Sequence, residues 1–114
     1  MDTAAVLPAA EPHILARLNC PLEALEELCK EYDVTELSVF GSIVRDDFDA
    51  AKSDIDFMVV FHPDSKLDLG GYFELEEKLS ELVHRKVDLV SKASMRRHWH
   101  DAILPTAQLI YANE

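Results

Sequence analysis

The feature that most constrains this chain is a pair of aspartates at the head of an apolar run, Asp54-Ile55-Asp56 followed by Phe57-Met58-Val59-Val60-Phe61. An unbroken apolar run of this kind reads as a central strand covered on both faces. Side chains alternate along a strand and each residue advances about 3.3 Å, so Asp54 and Asp56 share a face with Cα atoms roughly 6.6 Å apart. Left bare, two such carboxylates repel, and one is pushed toward protonation. A divalent cation removes that penalty, and Mg2+ takes carboxylate oxygen, usually completed by substrate phosphates and water.

Upstream, Thr35 to Phe40 reads as a strand that delivers Gly41-Ser42. Glycine lets the backbone turn tightly and come close to a ligand. The helix that Ile43-Val44-Arg45 would begin points free N–H groups at an anion, and Ser42 adds a hydroxyl. Arg45, one turn on, offers a fork for phosphate oxygens. Alone, Gly41-Ser42 reads equally as an ordinary turn with Ser42 as helix cap, and it is the aspartates downstream that favour phosphate. A further acid, Asp88, stands among apolar neighbours in a strand expected over Val87 to Val90. It is either paired with Arg85 or Arg45, or it is a third ligand at a strand tip beside the other two. Asp46, Asp47 and Asp49 between the halves read as solvated loop acids.

The remainder reads as scaffold. Residues 1 to 11 are alanine-rich and read as a mobile tail, with Pro12 starting a short helix over His13 to Leu18. Residues 1–20 are thus expected as a tail with a short helix, and 21–114 as a single domain. Leu22, Leu25, Leu28, Cys29 and Tyr32 recur at helical spacing, with Pro21 suited to the first turn. Leu67 to Val83 reads as a second amphipathic helix, with Tyr72, Leu75, Leu79, Leu82 and Val83 inward and Gly70-Gly71 weakening its first turn. Ser94 to Ile103 reads as a last helix, and Gln108 to Tyr111 as a short strand or tail. The expected class is α/β, a small mixed β-sheet covered by helices. In Arg96-Arg97-His98-Trp99-His100, two histidines two apart on a helix do not face each other, which argues against a metal site. Trp99 reads as a core residue, the alternative being a stacking or partner-anchoring role.

Charge narrows the partners. With 11 basic and 22 acidic residues the net charge is −11, which repels nucleic acid phosphate and favours a basic protein surface. The same acidity also serves solubility. Cys20 and Cys29 make neither a disulfide framework nor a zinc motif, and Cys29 is expected as a reduced core thiol. Met1 to Pro12 lacks the pattern of a signal peptide and no stretch is long enough to span a bilayer, so no membrane role and a cytoplasmic location are expected.

Taken together, Gly41-Ser42, Arg45 and Ser53-Asp54-Ile55-Asp56 resemble the signature of nucleotidyltransferases related to DNA polymerase β. The short chain is similar to the minimal nucleotidyltransferases that act as antitoxins beside a HEPN-domain toxin. Val87-Asp88-Leu89-Val90 is similar to the strand that supplies that family's third carboxylate, and the resemblance covers residues 22 to 111. There are two departures, both in the loop: Asp46 stands where the family usually has glycine, and eleven residues separate Ser42 from Asp54, one more than the commonest form. They bear on phosphate affinity more than on metal binding. The resemblance implies a polymerase β palm-like fold with two Mg2+ ions held by Asp54, Asp56 and Asp88. It further implies ATP held through Gly41, Ser42 and Arg45. The implied acceptor is a tyrosine hydroxyl of a cognate HEPN toxin, which is adenylylated and neutralised within a hetero-oligomer. Two alternatives stay open: an antitoxin that acts by binding alone, and a small-molecule nucleotidyltransferase of the aminoglycoside-modifying type, for which this chain lacks a second domain.

Overall fold

The computed structural model describes residues 7–95 and 101–113. Helix α1, Pro12–Leu18, starts with proline in its first turn and ends at Asn19, whose φ of 55° closes the helix by returning its N–H to the Ala16 carbonyl. Helix α2, Leu22–Glu31, precedes strand β1, Val34–Phe40, which runs straight into a short 3-10 turn, Gly41–Val44. Strand β2, Ile55–Phe61, is followed by helix α3, Leu69–Val83, and strand β3, Val87–Ser91. Strand β4, Gln108–Ala112, completes the order, so the segment open between strand and tail is a strand.

The sheet order is β3-β2-β1-β4. β2 runs parallel to β3, while β1 is antiparallel to both β2 and β4. This is the mixed sheet expected, with the aspartate-bearing strand inside it. Ile55, Phe57 and Val59 enter one cluster with Ile14, Leu25, Leu37 and Leu79. Met58, on the opposite face by strand alternation, is also buried, which explains why the run shows no polar alternation. Cys29 is buried and free, and burial, with the charge of Glu26 adding to it, pushes its thiol up to about 12. It is a core thiol rather than a reactive one.

α3 begins two residues later than its apolar pattern indicates, because Asp68 caps it, accepting from the Gly71 N–H at 2.8 Å. That cap offsets the weakness of Gly70-Gly71. Side chains of α3 then occupy the free edge of β3. Tyr72 donates its hydroxyl to the Leu89 carbonyl at 2.6 Å, and Glu76 accepts the Leu89 N–H at 2.9 Å. The edge is thereby closed to other strands, and Asp88 is held next to the point of attachment.

The mobile-tail reading fails for Pro8 to Glu11. Leu109 donates to the Pro8 carbonyl at 2.7 Å, Ala10 donates to the Leu109 carbonyl at 2.9 Å, and the Glu11 N–H meets Gln108 Oε1 at 3.0 Å. Composition says nothing about the unpaired edge of β4, and that edge is what captures the segment. The basic cluster Arg96 to His100, with Trp99, lies outside the described residues, as does the middle of the helix expected there. Among the described residues no helix is long and apolar enough to cross a membrane.

Candidate active site

Strand register assembles the site. β1 pairs Phe40 with Asp56, and β2 pairs Asp56 with Asp88, so the end of β1, the first aspartate within β2 and the aspartate of β3 form one row across three strands. Gly41, next along from Phe40, has φ 78°, a conformation that L side chains rarely adopt. A Cβ there would collide with Asp56 Oδ2 and stand 3.2 Å from Asp56 Cγ. The glycine is needed twice over, for the turn and for the carboxylate packed against it.

The acids crowd one another. Asp56 is partly buried, and its carboxyl is raised from 3.8 to about 6, first by burial, then by the charge of Asp88 and a hydrogen bond with it, then by Asp54, with Arg45 pulling the other way. Asp88 is exposed, and among the described residues it forms no ion pair with Arg85 or Arg45. Asp54 lies just before β2 with Oδ2 4.0 Å from Lys86 Nζ, so it is near Asp56 but turned toward a lysine. The structure therefore joins Asp56 and Asp88 directly and leaves Asp54 alongside. Among the described residues no three acidic, histidine or cysteine side chains are set to hold a metal together. Two carboxylates still suit Mg2+, which is commonly held by one or two of them plus substrate phosphates rather than by a protein cage. The raised Asp56 carboxyl marks the place where positive charge relieves most strain.

On the phosphate side the expected α-helix is absent. Gly41–Val44 makes only one tight turn, closed by the Arg45 N–H on the Ser42 carbonyl at 2.9 Å, and Arg45 is extended with φ −111° and ψ 165°. Four residues give little helix dipole, so an anion here would rely on individual N–H groups, the Ser42 hydroxyl and Arg45. Arg45 Nε donates to Asp47 Oδ1 at 3.1 Å, in a pair exposed on both sides. The acidic loop is thus more than solvated, since Asp47 pairs with the arginine expected to face phosphate.

Two arginines have a place that the sequence did not reveal: Arg17 drew no reading, and Arg85 was considered only as a partner for Asp88. Arg17 of α1 and Arg85, between α3 and β3, both reach the loop joining the two halves, and their guanidinium carbons lie 5.3 and 5.2 Å from the Phe48 ring centroid. The available signal was Phe48 itself, an aromatic residue in an otherwise acidic loop.

A mixed sheet with paired acids at the strand ends and a glycine turn against them defines a nucleotidyltransferase fold. The profile of the nucleotidyltransferase domain matches residues 22–109, and the chain belongs to that family. It is 41% identical over 69 residues to a candidate protein adenylyltransferase of Methanocaldococcus jannaschii, covering 60% of this chain and 67% of the relative. It is 38% identical over 71 residues to the protein adenylyltransferase MntA of Thermococcus cleftensis, covering 62% and 69%. Among solved structures, the tri-AMPylated Shewanella oneidensis HEPN toxin in complex with MNT antitoxin matches with TM-score 0.60 at 20% identity, over 88% of this chain and 73% of that one. At that identity the likeness establishes the fold.

Proposed function

We propose that this chain is an antitoxin nucleotidyltransferase that moves AMP from ATP to a tyrosine hydroxyl of a cognate HEPN toxin and so neutralises it. The observation that carries the reading is the row formed by Phe40, Asp56 and Asp88, with the Gly41 turn packed on Asp56. It sets the Gly41 turn directly beside paired carboxylates. Relatives bearing the name protein adenylyltransferase, and the AMPylated toxin in a structural neighbour's complex, support the choice of donor and acceptor.

In this reading Gly41, Ser42 and Arg45 hold the triphosphate, while Asp56 and Asp88, with Asp54 adding charge, hold Mg2+. When bound, the metal neutralises the triphosphate and lowers the pKa of the acceptor hydroxyl. Asp88, exposed at the strand end, orients the incoming phenol and accepts its proton. The phenolic oxygen forms a bond to the α-phosphorus, the bond from that phosphorus to the bridging oxygen breaks, and pyrophosphate leaves. An apolar cleft of about 490 Å³, lined by residues including Phe40, Leu89, Val90 and Met95, offers a wall for the base beside these groups. The acidic surface, net −11, suits a basic toxin as partner and keeps nucleic acid away.

The test is intact mass of the toxin after incubation with this protein, ATP and Mg2+. One or more added AMP groups, with no addition when EDTA replaces Mg2+, is the expected result. A toxin that is silenced at unchanged mass would instead establish neutralisation by binding alone.

A further inference from the structure

The loop from Arg45 to Ser53 links the phosphate half of the site to the carboxylate half, yet neither β1 nor β2 includes any of it. It is held instead by two distant arginines. Arg17 donates through a single nitrogen to the Ile43 carbonyl at 2.7 Å and to the Arg45 carbonyl at 2.8 Å. Arg85 donates through one nitrogen to the Ser53 carbonyl at 3.1 Å and through another to the Ala50 carbonyl. Phe48 lies within cation–π range of both.

The partner choice is unusual. The chain carries 22 acidic residues, yet among the described residues neither arginine forms an ion pair. Arg85 Nε is buried without a hydrogen-bond partner, so the side chain accepts an unmet polar group in order to keep its two carbonyl bonds. Arg17 governs the exit from the glycine turn, and Arg85 governs the entry to Asp54.

We propose that Arg17 and Arg85 are positioning residues for nucleotidyl transfer, a clamp that fixes the distance between the triphosphate turn and the paired carboxylates. The inference rests on the nucleotidyltransferase reading above. The clamp touches neither ATP nor the acceptor; it acts through the backbone at residues 43, 45, 50 and 53.

Its geometry distinguishes the two arginines. One nitrogen of Arg17 serves both carbonyls, so Arg17→Lys, with three N–H donors on one nitrogen, can reproduce the contact. Arg85 uses two nitrogens held apart by a planar fork, which lysine cannot copy. The experiment measures kcat and KM for ATP with full-length toxin as acceptor, well below each variant's Tm, for Arg17→Ala, Arg17→Lys, Arg85→Ala and Arg85→Lys. Hydrogen exchange of the Lys52 and Ser53 amides is followed in the free proteins. Both alanine variants and Arg85→Lys are expected to raise KM for ATP by about tenfold, while Arg17→Lys stays near wild type. In the Arg85 variants the Lys52 and Ser53 amides are expected to exchange faster while core amides remain protected. A wild-type protein that transfers no AMP would overturn the function rather than the clamp. A wild type that transfers AMP while Arg85→Lys keeps its KM and its exchange rates would overturn the clamp. Should Arg85→Ala fail to fold, Arg85→Lys carries the test. A variant that melts earlier with unchanged KM assigns the arginine a purely structural role and also overturns the proposal.

Discussion

The two halves of the site are built by different means. Asp56 and Asp88 stand on adjacent parallel strands whose register runs unbroken from Ile55 opposite Val87 to Val59 opposite Ser91. Their spacing follows from a cooperative backbone ladder, so a single side-chain change leaves it intact. The Gly41 to Ser53 half has no such ladder and depends on separate bonds from Arg17, Arg85 and the loop's own acids. One half is stiff and chemically demanding; the other can be retuned one residue at a time.

The sharpest way to break the comparison is to alter the chemistry of the stiff half without its shape. Asp56→Asn and Asp88→Asn should fold normally and lower AMP transfer by at least about a hundredfold, measured as kcat/KM. Asp56→Asn should in addition melt at a higher temperature than wild type in EDTA at pH 7, because it removes a carboxylate crowded by Asp88 and Asp54. A lower Tm for that variant would show that the carboxylates are not in conflict.

Gly41→Ala attacks the seam between the halves. The methyl group meets the Asp56 carboxylate, and the residue must hold φ near 78°. The backbone alone costs about 1–2 kcal/mol, read as a loss in denaturant midpoint. Transfer should fall further than the stability loss explains, since Asp56 must move. An active Gly41→Ala with native stability would mean that the turn and Asp56 are not in contact.

Much of the stiff half was legible because strand periodicity and burial act locally. Two aspartates ahead of a doubly apolar run, and a lone aspartate in a second apolar run, marked Asp54, Asp56 and Asp88; that the two strands are neighbours came from the family resemblance, and the turn of Asp54 toward Lys86 was not foreseen. The soft half was not legible to the same degree. The Arg17 and Arg85 contacts are side chain to backbone bonds spanning 26 to 35 residues, and such bonds leave no period in the sequence. The helix expected after Ser42 gave way to one tight turn because Arg45 returns to extended backbone. Pro8 to Glu11 were read as part of a mobile tail for a related reason: their order depends on an open edge at β4 that only the assembled sheet reveals. The start of α3 was likewise placed two residues early, because the cap that Asp68 supplies to the Gly71 N–H lies inside the apolar pattern read from Leu67.

The pH response probes the stiff half more gently. The Asp56 carboxyl lies near 6 in the fold against 3.8 for an ordinary aspartate, so the folded form holds its proton more tightly than the unfolded form. Stability contributed by this group therefore falls as pH rises from about 4 through about 6, and its cost is complete above that window. In EDTA, the Tm difference between wild type and Asp56→Asn should be small near pH 4 and widen, in favour of the asparagine variant, toward pH 7. A gap that narrows with rising pH would reverse the assignment.

The smallest expected effect tests whether the soft half is tunable. Arg45 and Asp47 form a pair whose side chains are 59% and 70% exposed, the kind that contributes about 0–1 kcal/mol to stability. Breaking it with Asp47→Asn should scarcely move Tm, yet it frees the Arg45 guanidinium from a local carboxylate. If Arg45 serves the triphosphate, ATP then no longer competes with Asp47, and KM for ATP should fall by about two- to threefold with kcat unchanged. Arg45→Ala should raise KM, and combining it with Asp47→Asn should abolish the gain, because the benefit passes through Arg45 alone. Raising salt should shrink the difference between wild type and Asp47→Asn, since the competition is between solvent-exposed charges. A gain that persists without Arg45 would mean that Asp47 repels the triphosphate directly, and the acidic loop would then act on ATP by its own charge rather than through the arginine beside it.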